Sequence, residues 1–286
     1  MIEMTDVVRS YIDEAVNQNI LEADEYIDLE DGLIHCGVCH ERRQTVVKRF
    51  RHPGYFIPRC PCSCQTEEER QRKEQQAQRE RMERIKRRRA YGLRDKSLYV
   101  YTFDHDNGSN PVMKKARAYV RNWKKALRNN TGLLLFGDVG TGKSFFAGCI
   151  ANALLDQDVP VLMTSFPTIL NQLTGVYPEE RVDFINSLND YDLLIIDDLG
   201  VERSTEFAME QMFEVIDRRY RSGKPMIITT NLTLEELRNP PDLVHARIYE
   251  RILERCAPIL FSGENFRKQK SEENKRIARM IVSTGA

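Results

Sequence analysis

Gly137-Asp138-Val139-Gly140-Thr141-Gly142-Lys143-Ser144 is the stretch on which the reading of this chain turns. It fits G-x-x-x-x-G-K-[ST], and its flanks give the pattern a mechanism: apolar residues 133–136 read as a short buried strand, and residues 145–155 as a helical run. Glycines at these spacings let successive backbone N–H groups turn inward around phosphate oxygens at a helix N-terminus, where the helix dipole adds to the attraction. In that geometry Lys143 reaches the β- and γ-phosphates and the Ser144 hydroxyl is a ligand of Mg²⁺, while the segment from Gly137 through Ser144 to Phe145 wraps the nucleotide. The expected ligand is a nucleoside triphosphate. A glycine-rich turn alone would match the pattern by chance, but it would lack the strand and helix on either side.

Four more apolar runs follow, at 161–164, 193–197, 226–230 and 259–261, and helical segments separate them. Strands alternating with helices imply a parallel sheet covered on both faces, with the ligand at the C-terminal strand ends. Ahead of the phosphate loop, a loop is expected across 104–110 and a helix from Pro111 towards Arg128. No internal repeat is visible.

Leu193-Leu194-Ile195-Ile196-Asp197-Asp198 runs four apolar residues straight into two carboxylates. A buried strand of this kind can deliver Asp197 to the Mg²⁺ beside Ser144 and set Asp198 where it polarises an attacking water. Any single buried strand can end in a polar turn; here the position in the chain allows this strand and the phosphate loop to lie side by side. The next run, Met226-Ile227-Ile228-Thr229-Thr230, ends in Asn231, whose amide can hydrogen-bond both the γ-phosphate and the water between them. No N-K-x-D segment for reading guanine is present, so ATP is preferred to GTP.

Composition sets the compartment and the module count. A chain of 286 residues holds one α/β domain plus a smaller appendage. With 30% charged residues and no apolar run near the ~18 residues of a membrane span, it reads as cytoplasmic, with no membrane partner. Formal net charge is zero, yet residues 1–31 carry ten carboxylates against Arg9 alone, whereas 42–89 is rich in Arg and Lys. Met4, Val7, Val8, Tyr11, Ile12, Ala15 and Val16 recur at helical spacing, which gives an acidic amphipathic helix suited either to packing on its own module or to docking a protein partner.

Five of the seven cysteines crowd between 36 and 64, as Cys36-Gly37-Val38-Cys39 and Cys60-Pro61-Cys62-Ser63-Cys64. C-x₂-C is zinc-knuckle spacing, and four of these five complete a tetrahedral zinc site: Cys36 and Cys39 with two of Cys60, Cys62 and Cys64. His35, His40 and His52 are weaker ligand candidates, and an iron–sulfur cluster draws on the same residue type. A module this small has little core, so ligation of Zn²⁺ would supply much of its folding free energy. Cys149 and Cys256 read as small core residues. The expected organisation is a Cys-rich, zinc-ribbon-like partner-binding module over 1–64, a charged helical linker over 65–92 and the nucleotide domain over 93–286. The linker closes on Lys86-Arg87-Arg88-Arg89, which reads as a solvated face more readily than as a phosphate contact.

The phosphate loop, the Asp-Asp strand and the Thr-Thr-Asn strand in this order resemble the AAA+ ATPases. More narrowly, Asp197-Asp198-Leu199-Gly200, Thr229-Thr230-Asn231 and Arg247-Ile248-Tyr249-Glu250-Arg251 resemble the DnaC/DnaI helicase-loader and IstB-like clade, over about residues 93–266. The resemblance implies that Arg251 is an arginine finger acting on the γ-phosphate of a neighbouring subunit, with Arg247 one turn earlier also at the nucleotide. It implies a slow, Mg-dependent, partner-stimulated ATPase that assembles into a ring or spiral, engages a hexameric replicative helicase and helps place it on single-stranded DNA. The alternative from the same clade is an IstB-like ATPase acting on duplex DNA with a transposase; a third is a nucleotide-switched adaptor without meaningful turnover. Two departures stand out: Asp198 occupies a position where most AAA+ enzymes have Glu, and residues 263–286 are too few for the helical lid that usually carries a further nucleotide-sensing Arg.

Overall fold

The computed structural model describes residues 21–48, 50, 55–200, 205–263 and 265–283. The amphipathic helix expected over residues 4–16, and His52, lie outside them. The chain divides into two compact units between Arg81 and Met82.

In the first unit β1 (Glu25–Ile27) pairs antiparallel with β2 (Ile34–Cys36), and β3 (Val47–Lys48) with β4 (Tyr55–Phe56). Its apolar core is slight, with Leu33, Ile34 and Ile57 as its buried aliphatic side chains among the described residues. A long helix, α1 (Ser63–Gly92), leaves this unit and ends in the second. Its exposed middle is laced by pairs one turn apart, Arg70 with Glu67 and Glu74 and Lys73 with Glu69, which suits a helix with no apolar face.

The end of α1 departs from the solvated face expected of the 86–89 run. Arg84 Nε lies 2.7 Å and Arg88 Nη1 2.6 Å from the Asp158 carboxylate, and Arg89 pairs with Asp156. Gly92 closes the helix where a Cβ would meet Val161 O at 2.0 Å, so only glycine lets the chain pass there.

In the second unit the helix expected from Pro111 is two helices, α2 (Met113–Arg121) and α3 (Trp123–Arg128), divided at Asn122, whose amide donates back to Ala118 O at 2.9 Å. Then come β5 (Gly132–Gly137), α4 (Lys143–Asp156), β6 (Val161–Ser165), α5 (Phe166–Leu173), α6 (Pro178–Ser187), β7 (Leu193–Leu199), α7 (Glu206–Ser222), β8 (Met226–Thr230), α8 (Leu234–Arg238), α9 (Leu243–Arg255), β9 (Cys256–Phe261) and α10 (Phe266–Ser283). The five strands form one parallel sheet in the order β6-β7-β8-β5-β9.

The Asp-Asp strand β7 does not lie directly beside the phosphate-loop strand β5; β8 runs between them. The apolar runs carry no alternation because alternate residues bury on opposite faces. Leu133, Leu135, Ile195 and Ile227 pack with Phe146, Ile150 and Leu154 of α4, while Leu134, Ile196 and Ile228 pack with Phe166, Met212, Ile216, Ile248 and Ile252. Cys149 and Cys256 are buried in these two layers, as expected. β9 begins at Cys256, three residues ahead of the apolar run; as an edge strand it tolerates Pro258. Burial of α7 includes Arg219, fully enclosed and donating to the carbonyls of Tyr191, Asp192 and Pro225 ahead of β7 and β8.

Candidate functional site

β5 ends at Gly137 and α4 begins at Lys143, with Gly140 (φ 80°) and Gly142 (φ 95°) in the left-handed region that L side chains avoid. The loop between them is held from outside. Asn265 Nδ2 donates to Val139 O at 3.0 Å, the Phe266 N–H to Gly140 O at 3.0 Å, and Asn110 Nδ2 to Thr141 O at 3.4 Å. A Cβ on Gly140 would strike Asn265 Oδ1 at 2.2 Å, so this residue must stay small for the clamp to close.

Lys143 is buried, and its ammonium donates to Gly137 O and Asp138 O, both at 2.7 Å. Burial lowers its pKa, against the pull of Asp198, Asp138 and Asp197. The ammonium thus sits across its own loop, close to where phosphate oxygens would displace those carbonyls.

β7 brings both carboxylates to the loop by a distortion. The register of β7 against β8 slips between Ile196 and Leu199, and Asp198 within that bulge has φ 57°. A left-handed non-glycine residue is strained, and bulges of this kind re-aim a side chain beside a site. The Asp198 N–H donates to Thr229 Oγ1 at 2.9 Å, and Thr229 Oγ1 in turn donates to Asp197 Oδ1 at 2.6 Å. Asp197 also has a side-chain hydrogen bond with Ser144. Burial raises the Asp197 pKa, opposed by the Thr229 and Ser144 hydrogen bonds and reinforced by Asp198.

These elements open on one cavity of about 380 Å³. Val139, Gly140, Gly142, Lys143, Ser144 and Phe145 line it with Asp198 and Asn231, so the loop, the Asp-Asp strand and the Thr-Thr-Asn strand meet as the spacing implied. Arg247 and Arg251 do not line it. Arg247 is exposed on α9, and Arg251 lies against α7, with its guanidinium 4.9 Å from the centre of the Phe213 ring.

Sequence reading missed two walls of the cavity. One is the segment holding Tyr101, His105, Asn107 and Asn110, of which the sequence offers only a loop over 104–110; the other is Phe266 and Arg267 at the start of α10. Arg267 acts electrostatically on both Lys143 and Asp197. An arginine at the start of α10 therefore lines the pocket. Its signal was available, since a basic residue follows an aromatic just after the last strand, but no local pattern joins it to the loop.

In the first unit, Cys36, Cys39, Cys62 and Cys64 bring their sulfurs within 4.8 Å of one another. Zn–S bonds of about 2.3 Å make the edges of a tetrahedron about 3.8 Å, so the four thiols suit one ion of that size. Backbone N–H groups from Cys39 and Val38 lower the Cys36 thiol, and that of Glu41 brings Cys39 down to about 6. Cys60 is the surplus cysteine, its Sγ turned to Arg42 O at 3.6 Å. His35 bonds to His40 O and Asp31, and His40 to the Tyr26 hydroxyl, so neither faces the cluster as a ligand.

The family model described as IstB-like ATP binding protein matches residues 65–274. The chain belongs to the IstB-like ATP-binding family. It is 27% identical over 168 residues to the replicative helicase loader DnaC of Escherichia coli (strain K12), a match covering 57% of this chain and 65% of that one. It is 26% identical over 192 residues to the replicative helicase loader DnaI of Bacillus subtilis (strain 168), covering 60% and 62%. The chain thus matches less than two thirds of the length of these relatives. A crystal structure of DnaI superposes with a TM-score of 0.49 at 22% identity, over 59% of this chain and 92% of that one. No helix of the described residues is long and apolar enough to cross a membrane.

Proposed function

We propose that this protein is an ATP-dependent loader of a replicative helicase, binding the helicase hexamer through its Cys-rich unit and handing it single-stranded DNA in bacterial, phage or mobile-element replication. The observation that carries the reading is the composition of the cavity. It has a phosphate loop, a carboxylate and an amide converging on one space, while Arg247 and Arg251 of α9 stay outside it. Arg267 lines the same space, and Arg251 would serve the site of a second copy, in a ring or spiral. The helicase comes from the names of the relatives, and single-stranded DNA from the resemblance to helicase loaders.

The chemistry follows from side-chain roles. Lys143 and the loop N–H groups hold the β- and γ-phosphates. Asp197, a half-buried carboxylate with raised pKa beside a hydroxyl, suits a cation: Ser144 and Asp197 would hold Mg²⁺, which when bound would neutralise phosphate charge and orient the γ-phosphate. Asp198 accepts a hydrogen bond from the attacking water and polarises it, Asn231 fixes water and γ-phosphate in line, and Arg251 of the adjoining copy meets the charge that develops on transfer. Asp in place of Glu at 198 shortens the reach to the water and gives slow turnover, raised by partners. Zn²⁺ is the metal proposed for the four cysteines.

The test is the native mass of the protein mixed with replicative helicase hexamer and a slowly hydrolysed ATP analogue. A defined complex of several copies on one hexamer supports the loader. The family match favours a second reading, an IstB-like ATPase on duplex DNA with a transposase; self-assembly only on added duplex, and no helicase complex, would replace the first reading with it.

A further inference from the structure

Arg43 is a charged side chain enclosed next to the four-cysteine cluster, with 3% of its side chain exposed. Its backbone joins the two halves of the unit: its N–H donates to Ile34 O at 2.7 Å, and its carbonyl accepts from the Cys60 N–H at 2.8 Å. Its guanidinium is shared between two kinds of acceptor. Nη2 donates to Cys36 Sγ at 3.6 Å, and the guanidinium also bonds to Cys62. On the other side Nη2 meets Asp24 Oδ2 at 2.6 Å, and Nη1 meets Glu25 Oε1 at 3.0 Å and Glu22 Oε2 at 3.4 Å. Arg59 pairs with Glu25 beside it.

Charge explains why a guanidinium is there. Four thiolates around one divalent cation leave a formal charge of minus two in a poorly hydrated place, and hydrogen bonds to the sulfurs offset part of it. We propose that Arg43 is the counter-charge of the metal-loaded cysteine centre, and that through it metal occupancy fastens the acidic Glu22–Asp24–Glu25 segment to the module. This rests on the reading of the four cysteines as a metal site. With the ion bound, the sulfurs and carboxylates share one cation from opposite sides; without it, nothing holds the four sulfurs together against Arg43, and the whole junction loosens. Arg43 is a positioning residue here and not a ligand.

The experiment uses the full chain with Zn²⁺ or Co²⁺ alone as the probe. Arg43→Met should lower metal affinity by about 10- to 100-fold in competition with a chromogenic chelator. It should also shift the thiolate-to-cobalt charge-transfer band to lower energy, because sulfur loses a hydrogen-bond donor. Arg43→Lys should recover part of both effects. Asp24→Asn, which leaves the sulfur contacts intact, should keep metal affinity within about threefold while amide exchange at residues 22–27 accelerates. Chelating the metal from wild type should accelerate the same amides.

Wild-type affinity and an unchanged cobalt spectrum in Arg43→Met would overturn the link, with the metal site itself intact. Wild-type protein that takes up no Zn²⁺ or Co²⁺ would overturn both. Should Arg43→Met fail to fold, Arg43→Lys and Asp24→Asn decide: equal effects of the two on metal affinity would show ion pairing with no part in the metal centre.

Discussion

Asp217 Oδ1 on α7 lies 2.7 Å from Arg251 Nη2 on α9, and the same Asp217 holds Arg221 Nε at 2.8 Å. Arg251 Nη1 also donates to Arg247 O at 2.8 Å, and its guanidinium rests against Phe213 and Tyr220. The proposed finger is thus held on its own protomer by an ion pair, a carbonyl and two ring faces. A side chain held at so many points loses little further freedom when a neighbour brings its γ-phosphate.

Replacing Arg251 separates binding from turnover. Arg251→Ala should bind ATP within about threefold of wild type, because no atom of Arg251 lines the cavity, yet lose hydrolysis by about 10³-fold or more. Asp217→Asn should give a milder loss, about tenfold to a hundredfold, since it misplaces the arginine without removing it. Mixing Arg251→Ala with Lys143→Ala should restore part of the rate, because each copy supplies what the other lacks. Steady-state phosphate release reads all three; normal turnover by Arg251→Ala would sink the assignment.

Lys143→Ala acts on affinity. Its ammonium donates to two loop carbonyls, and a hydrogen bond to a charged group contributes about 1.5–3 kcal/mol. Two such bonds passing to phosphate predict at least about a hundredfold weaker binding, measured by fluorescent-nucleotide titration. Unchanged affinity would mean the cavity holds its ligand elsewhere.

Asp197→Asn should stabilise the nucleotide-free protein. The folded-state pKa of Asp197 is raised from 3.8 by burial, so folding favours its protonated form. The associated stability is fully present below pH 3.8 and is lost as pH rises through the folded value, leaving a buried charge that costs stability at neutral pH. The neutral amide removes that cost, so the melting temperature should rise at pH 7, while the extra stabilisation given by Mg²⁺ with ATP should vanish. A lower melting temperature in the absence of ligand would refute this.

How much of this could be read in the residues depends on the range over which each signal acts. The loop and strands were legible because a glycine-rich turn and apolar runs ending in Asp or Asn are local patterns. Strand order was not: nothing in Leu193–Leu199 says that β8 intervenes between it and β5. The bulge at Asp198 was hidden for the same reason, since the Thr229 hydroxyl that accepts its N–H lies on another strand. Arg219 reads as one more charge near a helix end, yet it is buried on three carbonyls and its pKa falls to about 10 by desolvation. Tyr101, Phe266 and Arg267 reach the cavity from opposite ends of the domain sequence. Of the five clustered cysteines, spacing identified the set, and only the fold singled out Cys60.

Gly92→Ala tests how tightly the end of α1 seats on the nucleotide domain. The added Cβ would fall 2.0 Å from Val161 O, and a backbone carbonyl within the sheet cannot step aside. Overpacking usually costs about 1–3 kcal/mol, and a clash with backbone belongs at the upper end of that range. Denaturant unfolding should show that loss, with Arg84, Arg88 and Arg89 displaced from Asp156 and Asp158. A change below about 0.5 kcal/mol would mean the helix end is free to move away.

The cysteine cluster makes the last prediction, because it contains its own control. Cys60 and Cys62 are two residues apart, yet only Cys62 belongs to the four sulfurs gathered within 4.8 Å. Cys60→Ser should therefore retain one zinc per chain by elemental analysis. Cys62→Ser should lose it, because three thiolates leave the tetrahedron open. With so little apolar core in the first unit, loss of metal should unfold residues 21–64, seen as rapid proteolysis there, while ATP binding in the second unit persists. Equal metal content in the two variants would break the assignment of ligands, and loss of ATP binding on metal removal would break the independence of the two units.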